Sequence, residues 1–183
     1  MKEKLVVVNG SYHKNGLTTK CLTARRAALM KELGIAEEDA KYFFLDDNIR
    51  SCVDCGTGRC VKGCRYRDQF QEIAAAIEEA TAVLIGSPVY LDTPTAKVLA
   101  FLHRLNCYAE PTKREFFRGK KVYLHANGYC SGTKAVIRAM MGACEMLGFT
   151  IPGRSTSEYI ILWKDKKIRG GSDGGCWVGG DME

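Results

Sequence analysis

A three-layer α/β domain wound on both faces of a parallel five-stranded sheet is the fold this sequence predicts. Three observations point to it. Short, nearly continuous apolar runs alternate with longer amphipathic stretches, each run ends in a loop rich in Gly, Pro, Asn or Ser, and 183 residues with 46% apolar side chains suffice for one substantial core. Strands that are apolar on both faces belong in a sheet covered by helices on both sides.

The strands are expected at residues 4–9, 41–46, 82–87, 121–126 and 150–161, the last being the least regular. Helical periodicity falls between them at 17–33, 69–79, 95–105 and 133–147. Leu-Gly pairs at 33–34 and 147–148 supply helix stops, because glycine adopts the left-handed conformation that ends a helix. Five strands and four helices in this order fit a flavodoxin-like arrangement, with a Rossmann-type sheet as the alternative. Residues 1–162 are expected to form one domain carrying an inserted cysteine-rich loop at 50–67, and 163–183 a glycine-rich tail. The tail run from Gly170 to Gly180 has too few side chains to bury as a helix or strand, so it is expected to be mobile or to dock on a partner subunit through Trp177 and Val178.

A net charge of +6 invites a nucleic-acid reading, but the 27 basic residues are scattered among 21 acidic ones in short, interrupted clusters such as Lys164-Asp165-Lys166-Lys167. A solvated surface is the plainer account. No run approaches the roughly 20 apolar residues that cross a bilayer, and Met1-Lys2-Glu3-Lys4 leads directly into a strand rather than a leader, so a soluble cytoplasmic protein is expected. Nine cysteines without an export signal point to metal binding, redox chemistry or simple burial rather than structural disulfides.

The loops at the strand ends carry the functional signal, since ligands of open α/β sheets bind beyond the carboxyl ends of the strands. In the first, Asn9 to Thr19, Gly10 and Gly16 permit tight turns, while Ser11, Thr18 and Thr19 offer hydroxyls beside the free N–H groups of the following helix. That suits a phosphate, with Lys14 or His13 available to add charge; an ordinary strand-to-helix turn with Thr18 as N-cap is the alternative. The loop lacks Gly-x-Gly-x-x-Gly and Gly-Lys-Ser/Thr, so it is neither a dinucleotide fingerprint nor a Walker loop. The middle loop, Gly86 to Pro94, is stiffened by Pro88 and Pro94, offers Tyr90 to a planar ring, and presents the N–H groups of Val89 to Thr93 as donors. The third, Asn127-Gly128-Tyr129-Cys130-Ser131-Gly132, is again glycine-bracketed and enters a helix. Together the three loops suggest a flat, phosphorylated cofactor.

Asn9-Gly10-Ser11 with Gly16-Leu17-Thr18, then Gly86-Ser87-Pro88-Val89-Tyr90, with a cysteine-rich segment ending Cys64-Arg65-Tyr66-Arg67-Asp68 between them, resembles the NADPH-dependent FMN reductase family over residues 4–150. The resemblance implies a flavodoxin-like fold and noncovalent FMN. Ser11, Gly16, Leu17, Thr18 and Thr19 carry over as phosphate contacts, Pro88, Val89, Tyr90, Leu91 and Thr93 as isoalloxazine contacts, and Asn127, Gly128 and Gly132 as further contacts from a more variable loop. The family commonly has Gly-Asn-Thr in the first loop where this chain has Gly16-Leu17-Thr18, which removes one polar side chain.

The cysteine segment runs Cys52-x2-Cys55-x4-Cys60-x3-Cys64. It is similar to the segment with which the iron-sulfur flavoprotein branch of the family holds a [4Fe-4S] cluster. That branch places its third cysteine where this chain has Gly58, so Cys60 stands two positions late. Four thiolates can hold a cluster, bind zinc, or remain free thiols in a loop covering the flavin entrance. Cys21, Cys144 and Cys107 read as ordinary helix residues, Cys130 falls in a flavin-edge loop, and none of the three histidines shows ligand spacing.

The resemblance implies an FMN-dependent oxidoreductase with no obligatory protein acid or base. It would pass electrons from NAD(P)H, or from a ferredoxin-like donor through the cysteine-bound cluster, to a small acceptor such as free flavin or a quinone. Assembly as a homodimer or homotetramer is expected, without nucleic-acid or membrane partners. Two other classes stay open: a non-catalytic flavodoxin-type electron carrier, against which the basic charge weighs, and a zinc-stabilised interaction module whose basic cysteine loop binds nucleic acid.

Overall fold

A computed structural model describes residues 2–55, 64–109, 117–128, 132–152, 162–163 and 175–177, with Ala109 and the last two stretches described in backbone only. The expected cysteine ligand Cys60, the flavin-edge Cys130 and most of the tail lie outside these residues.

Four parallel strands form the centre: β1 (Leu5–Asn9), β2 (Ala40–Phe44), β3 (Ala82–Pro88) and β4 (Lys121–Gly128). The helices between them are α1 (Leu17–Leu33), α2 (Phe70–Glu79), α3 (Ala96–Ala109) and α4 (Thr133–Met146). Two short strands, β5 (Leu162–Trp163) and β6 (Gly175–Trp177), complete a sheet ordered β2-β1-β3-β4-β6-β5. The β2-β1-β3-β4 order is that of flavodoxin and excludes the Rossmann alternative, in which the second strand separates the first from the third.

The apolar runs form strands because both of their faces are covered. On β1, Val6 and Val8 pack into a cluster with Phe70 and Ile73 of α2, Phe101 of α3 and Ile137 of α4, while Leu5 and Val7 pack with Leu22 and Leu29 of α1. One face thus carries three helices and the other α1, as alternation of side chains along a strand requires. α1 ends at Gly34, whose φ of 66° is the left-handed stop expected there.

The fifth parallel strand is reached only at its first residue. Thr150 bridges Lys121 in parallel, with Val122 N–H donating to the Thr150 carbonyl at 2.9 Å, and residues 153–161 lie outside those described. The other end of the same edge of β4 is taken by the tail: β6 runs antiparallel to it, pairing Ala126 with Trp177, Asn127 with Cys176 and Gly128 with Gly175. The expectation that this glycine-rich segment forms no strand therefore fails at 175–177. Edge pairing uses backbone N–H and C=O groups, which glycine supplies as well as any residue.

Candidate functional site

The three loops meet at the carboxyl ends of β1, β3 and β4 and are fastened to one another. Gly10 N–H donates to the Gly86 carbonyl at 2.8 Å, and Thr95 at the head of α3 returns its hydroxyl to the Gly10 carbonyl at 3.0 Å. A Cβ at Gly10 would stand 2.1 Å from Val98 Cγ2, so only glycine allows this approach. Val89 N–H donates to the Asn127 carbonyl at 2.8 Å, joining the middle loop to the third. Ser87, fully buried at the end of β3, accepts from Thr95 N–H at 3.0 Å and donates to the Pro88 carbonyl at 2.8 Å, setting the turn into α3.

In the first loop, Gly16 N–H, the Ser11 hydroxyl and the Thr19 hydroxyl all donate to the His13 carbonyl, at 3.1, 3.2 and 3.0 Å. Two of these three donors are rotatable hydroxyls beside the first turn of α1, whose N–H groups have no intrahelical acceptors. Thr18 behaves differently: it is 3% exposed, and its hydroxyl goes to the Asn127 side chain. Asn9, absent from the expected site residues, organises the loop from beneath: its side-chain oxygen accepts Ser11 N–H at 2.8 Å, and its amide nitrogen donates to Thr19 and to the Tyr42 hydroxyl.

The middle loop departs from expectation. Tyr90 N–H donates to the Thr93 carbonyl and Thr93 N–H to the Tyr90 carbonyl, forming a two-residue hairpin with Leu91 and Asp92 at φ 49° and 59°. With Val89 also committed, only the tip amides of Leu91 and Asp92 are left of the five expected donors. Tyr90 stacks on Tyr12 with ring centroids 6.3 Å apart, and both rings are half-exposed. Lys97, buried on the first turn of α3, sets its ammonium 4.2 Å from the Tyr12 ring centroid while donating to the Leu45 carbonyl and Asp47. Neither Tyr12 nor Lys97 carries a sequence signal that would single it out. Gly132, with φ 82°, brings the third loop against the second: a Cβ there would meet Asp92 Oδ1 at 2.1 Å.

Cys52, Cys55, Cys64 and Cys107 line one pocket together with Tyr66 and Arg104. Arg104, almost fully buried on α3, donates to both Asp68 oxygens, at 2.8 and 2.5 Å, and to Cys64 Sγ at 3.3 Å, with Phe70 beneath its guanidinium. Burial works to raise the Asp68 pKa, but the hydrogen bond and charge of Arg104 outweigh it and hold that carboxyl below its usual value. Cys107 follows Thr95 by twelve positions, which at the α-helical rise is about 18 Å along α3 from the loop cluster. Among the other cysteines, Cys144 is the buried thiol expected, pushed up to about 12 by burial, whereas Cys21 is disulfide-bonded, contrary to the expectation of an ordinary buried thiol.

The profile of the NADPH-dependent FMN reductase family matches residues 3–158. The chain belongs to that family. Among curated relatives it is 33% identical over 121 residues to an iron-sulfur flavoprotein of Archaeoglobus fulgidus, covering 65% of this chain and 53% of the relative. It is 29% identical over 156 residues to an iron-sulfur flavoprotein of Clostridioides difficile, covering 72% and 66%. The chain thus spans about half the length of the Archaeoglobus relatives. Solved structures share the fold: the Trp repressor binding protein of Bacillus subtilis has a TM-score of 0.59 at 15% identity over 81% of this chain and 82% of its own. The apo form of an NADH:FMN oxidoreductase has a TM-score of 0.55 at 17% identity over 82% and 72%.

For an NADPH-dependent FMN reductase family member, the first loop has the right chemistry for a flavin phosphate: hydroxyl and backbone donors at a helix N-terminus, with no carboxylate among them. Thiolates are suitable donors, yet among the described residues no three Cys, His, Asp or Glu side chains are grouped so as to hold a metal ion. Among the described residues no helix of this family member is long and apolar enough to cross a membrane.

Proposed function

We propose that this chain binds FMN across the carboxyl ends of β1, β3 and β4 and passes electrons from NAD(P)H to a small acceptor such as free flavin or a quinone. The supporting observation is the fastening of Gly10 to Gly86, Val89 to Asn127 and Thr18 to Asn127, which makes one rigid rim from three loops. That rim spans the β1/β3 switch point of a sheet in flavodoxin order, where ligands of such sheets bind. When bound, FMN supplies the redox chemistry; the protein binds, orients and shields it.

In this proposal the N–H groups of Leu17, Thr18 and Thr19 and the hydroxyls of Ser11 and Thr19 hold the phosphate, with Gly16 admitting it closely. Tyr90, backed by Tyr12, presents an aromatic face to the ring. Leu91 contributes its tip amide, and Thr93 and Pro88 set the hairpin that aims it. Asn127, Gly128 and Gly132 form the opposite wall. Homodimeric or homotetrameric assembly belongs to the same proposal.

Anaerobic titration of the chain with FMN, followed by NADPH oxidation with free FMN or a quinone, tests this reading. Tight one-to-one binding and many turnovers are expected. Binding without turnover would leave a flavodoxin-type carrier, and absence of binding would overturn the assignment of all three loops.

A second reading concerns the cysteine pocket. A [4Fe-4S] cluster on Cys52, Cys55, Cys60 and Cys64, fed by a ferredoxin-like donor, is supported by the names of the relatives and by three of these four thiols lining one pocket. Iron and acid-labile sulfide after anaerobic reconstitution decide it; a protein with neither excludes it.

A further inference from the structure

The sulfur of Cys52 stands 3.1 Å from the sulfur of Cys107, although 55 positions separate the two residues. Both are half-buried, and neither is in a disulfide. A disulfide bond is about 2.05 Å long, so the sulfurs need approach by only about 1 Å to join. The surroundings hold them there. Asp54, at φ 43°, directs its amide to Cys52 Sγ at 3.4 Å, and Cys107 sits on α3 one turn beyond Arg104. The guanidinium of Arg104, paired with Asp68, lines the same pocket and donates to Cys64, so a charged hydrogen-bond donor is held in the pocket beside a third thiol.

We propose that Cys52 and Cys107 form a redox-active dithiol pair, oxidised to an intramolecular disulfide by a small external disulfide of the glutathione-disulfide class. One thiolate of the pair attacks a sulfur of the external disulfide, forming a mixed disulfide and releasing one external thiolate. The second thiolate then attacks the protein sulfur of the mixed disulfide and releases the other. Two protein thiols lose two electrons and two protons, and the external disulfide is reduced to two thiols. The bridge ties the segment after β2 to α3. A sulfur in a disulfide is no longer a thiolate donor, so closure also withdraws Cys52 from any metal site. The pair rests on the sulfur contact and its surroundings, not on the flavin reading.

The test uses the full chain, reduced, desalted and incubated anaerobically with oxidised glutathione, then blocked with N-ethylmaleimide and digested. The peptide carrying Cys52 is expected joined to the peptide carrying Cys107, and dithiothreitol should separate them. Cys107→Ser should retain glutathione on Cys52, and Cys52→Ser on Cys107, where the wild type resolves both. A wild-type chain that keeps glutathione on either residue, joins Cys52 to another cysteine, or leaves both open to N-ethylmaleimide overturns the proposal. FMN uptake by the same sample is measured in parallel, so failure of the pair is distinguishable from failure of the flavin site.

Discussion

The hydroxyl of Thr18, at the start of α1, donates to the side-chain oxygen of Asn127 at the end of β4, 3.3 Å away and 109 positions along the chain. Both residues are buried, so the bond ties the first loop to the third from beneath. Thr18 is thus better suited to position the phosphate loop than to touch a phosphate with its hydroxyl. Thr18→Val, which keeps the shape and removes the donor, is expected to lower stability by about 1 kcal/mol and weaken FMN binding severalfold. Thr19→Val, at a half-buried position, should weaken FMN binding with less loss of stability. Urea denaturation and FMN titration of the two variants check this; equal stability losses would deny the distinction.

Gly132 and Gly34 have similar positive φ values, 82° and 66°, but different surroundings. A Cβ at Gly132 would meet Asp92 Oδ1 at 2.1 Å and Val89 Cγ1 at 2.7 Å, whereas nothing lies within 4 Å at Gly34. Gly34→Ala should therefore cost only the backbone strain, about 1 kcal/mol, and leave FMN affinity unchanged. Gly132→Ala should cost more and displace the Leu91–Asp92 hairpin, with loss of FMN affinity. Thermal melts and FMN titration of the pair would reveal whether the hairpin must stand where it does.

The sequence made the core of the fold legible because Leu5–Val8 and Ala82–Ile85 are apolar on both faces, a pattern that fits a parallel sheet between helices. The strand at 175–177 was illegible for a physical reason: three residues in a glycine-rich run are too short to show an alternating pattern, and their ladder to β4 is made by backbone groups that every residue carries. The three candidate loops, which the structure brings together at the carboxyl ends of β1, β3 and β4, could be located, but not the use of their donors. Val89, Tyr90 and Thr93 commit their amides within the rim, a consequence of the hairpin at Leu91 and Asp92, where neither residue is the glycine or asparagine that signals such a turn. Cys107 and Arg104 reach the cysteine pocket from α3, and only the packing of α3 against the segment after β2 makes them neighbours of Cys52 and Cys64.

Asp68 and Arg104 give the cysteine pocket an acid limit. The Asp68 carboxyl titrates below its usual value because Arg104, with amides of Phe70 and Arg50, offsets the burial that opposes ionisation. A lowered folded-state pKa contributes stability that is fully present above the unfolded value, near 4, and lost as pH falls through the folded value. Stability of the wild type should therefore drop below about pH 4, and Asp68→Asn should flatten that portion of the profile while lowering stability at pH 7. Arg104→Met, which strands Asp68, is expected to cost about 3 kcal/mol or more. Urea denaturation from pH 3 to 7 measures both; an unchanged acid slope in Asp68→Asn would assign the acid loss to other carboxylates.

Leu91 and Asp92 occupy the left-handed region at φ 49° and 59°, and Leu91 is 98% exposed. Each such residue costs about 1–2 kcal/mol relative to glycine, so a two-residue turn chosen for stability would read Asn-Gly. The double substitution Leu91→Asn, Asp92→Gly should therefore stabilise the chain by about 1–2 kcal/mol in thermal or urea unfolding. If the apolar tip serves the flavin site, the same variant should bind FMN less tightly or show a higher KM for its acceptor, the usual exchange of stability for function. A variant that is more stable and equal to wild type in FMN affinity and acceptor KM would remove the Leu91 side chain from the site and leave the hairpin its backbone role alone.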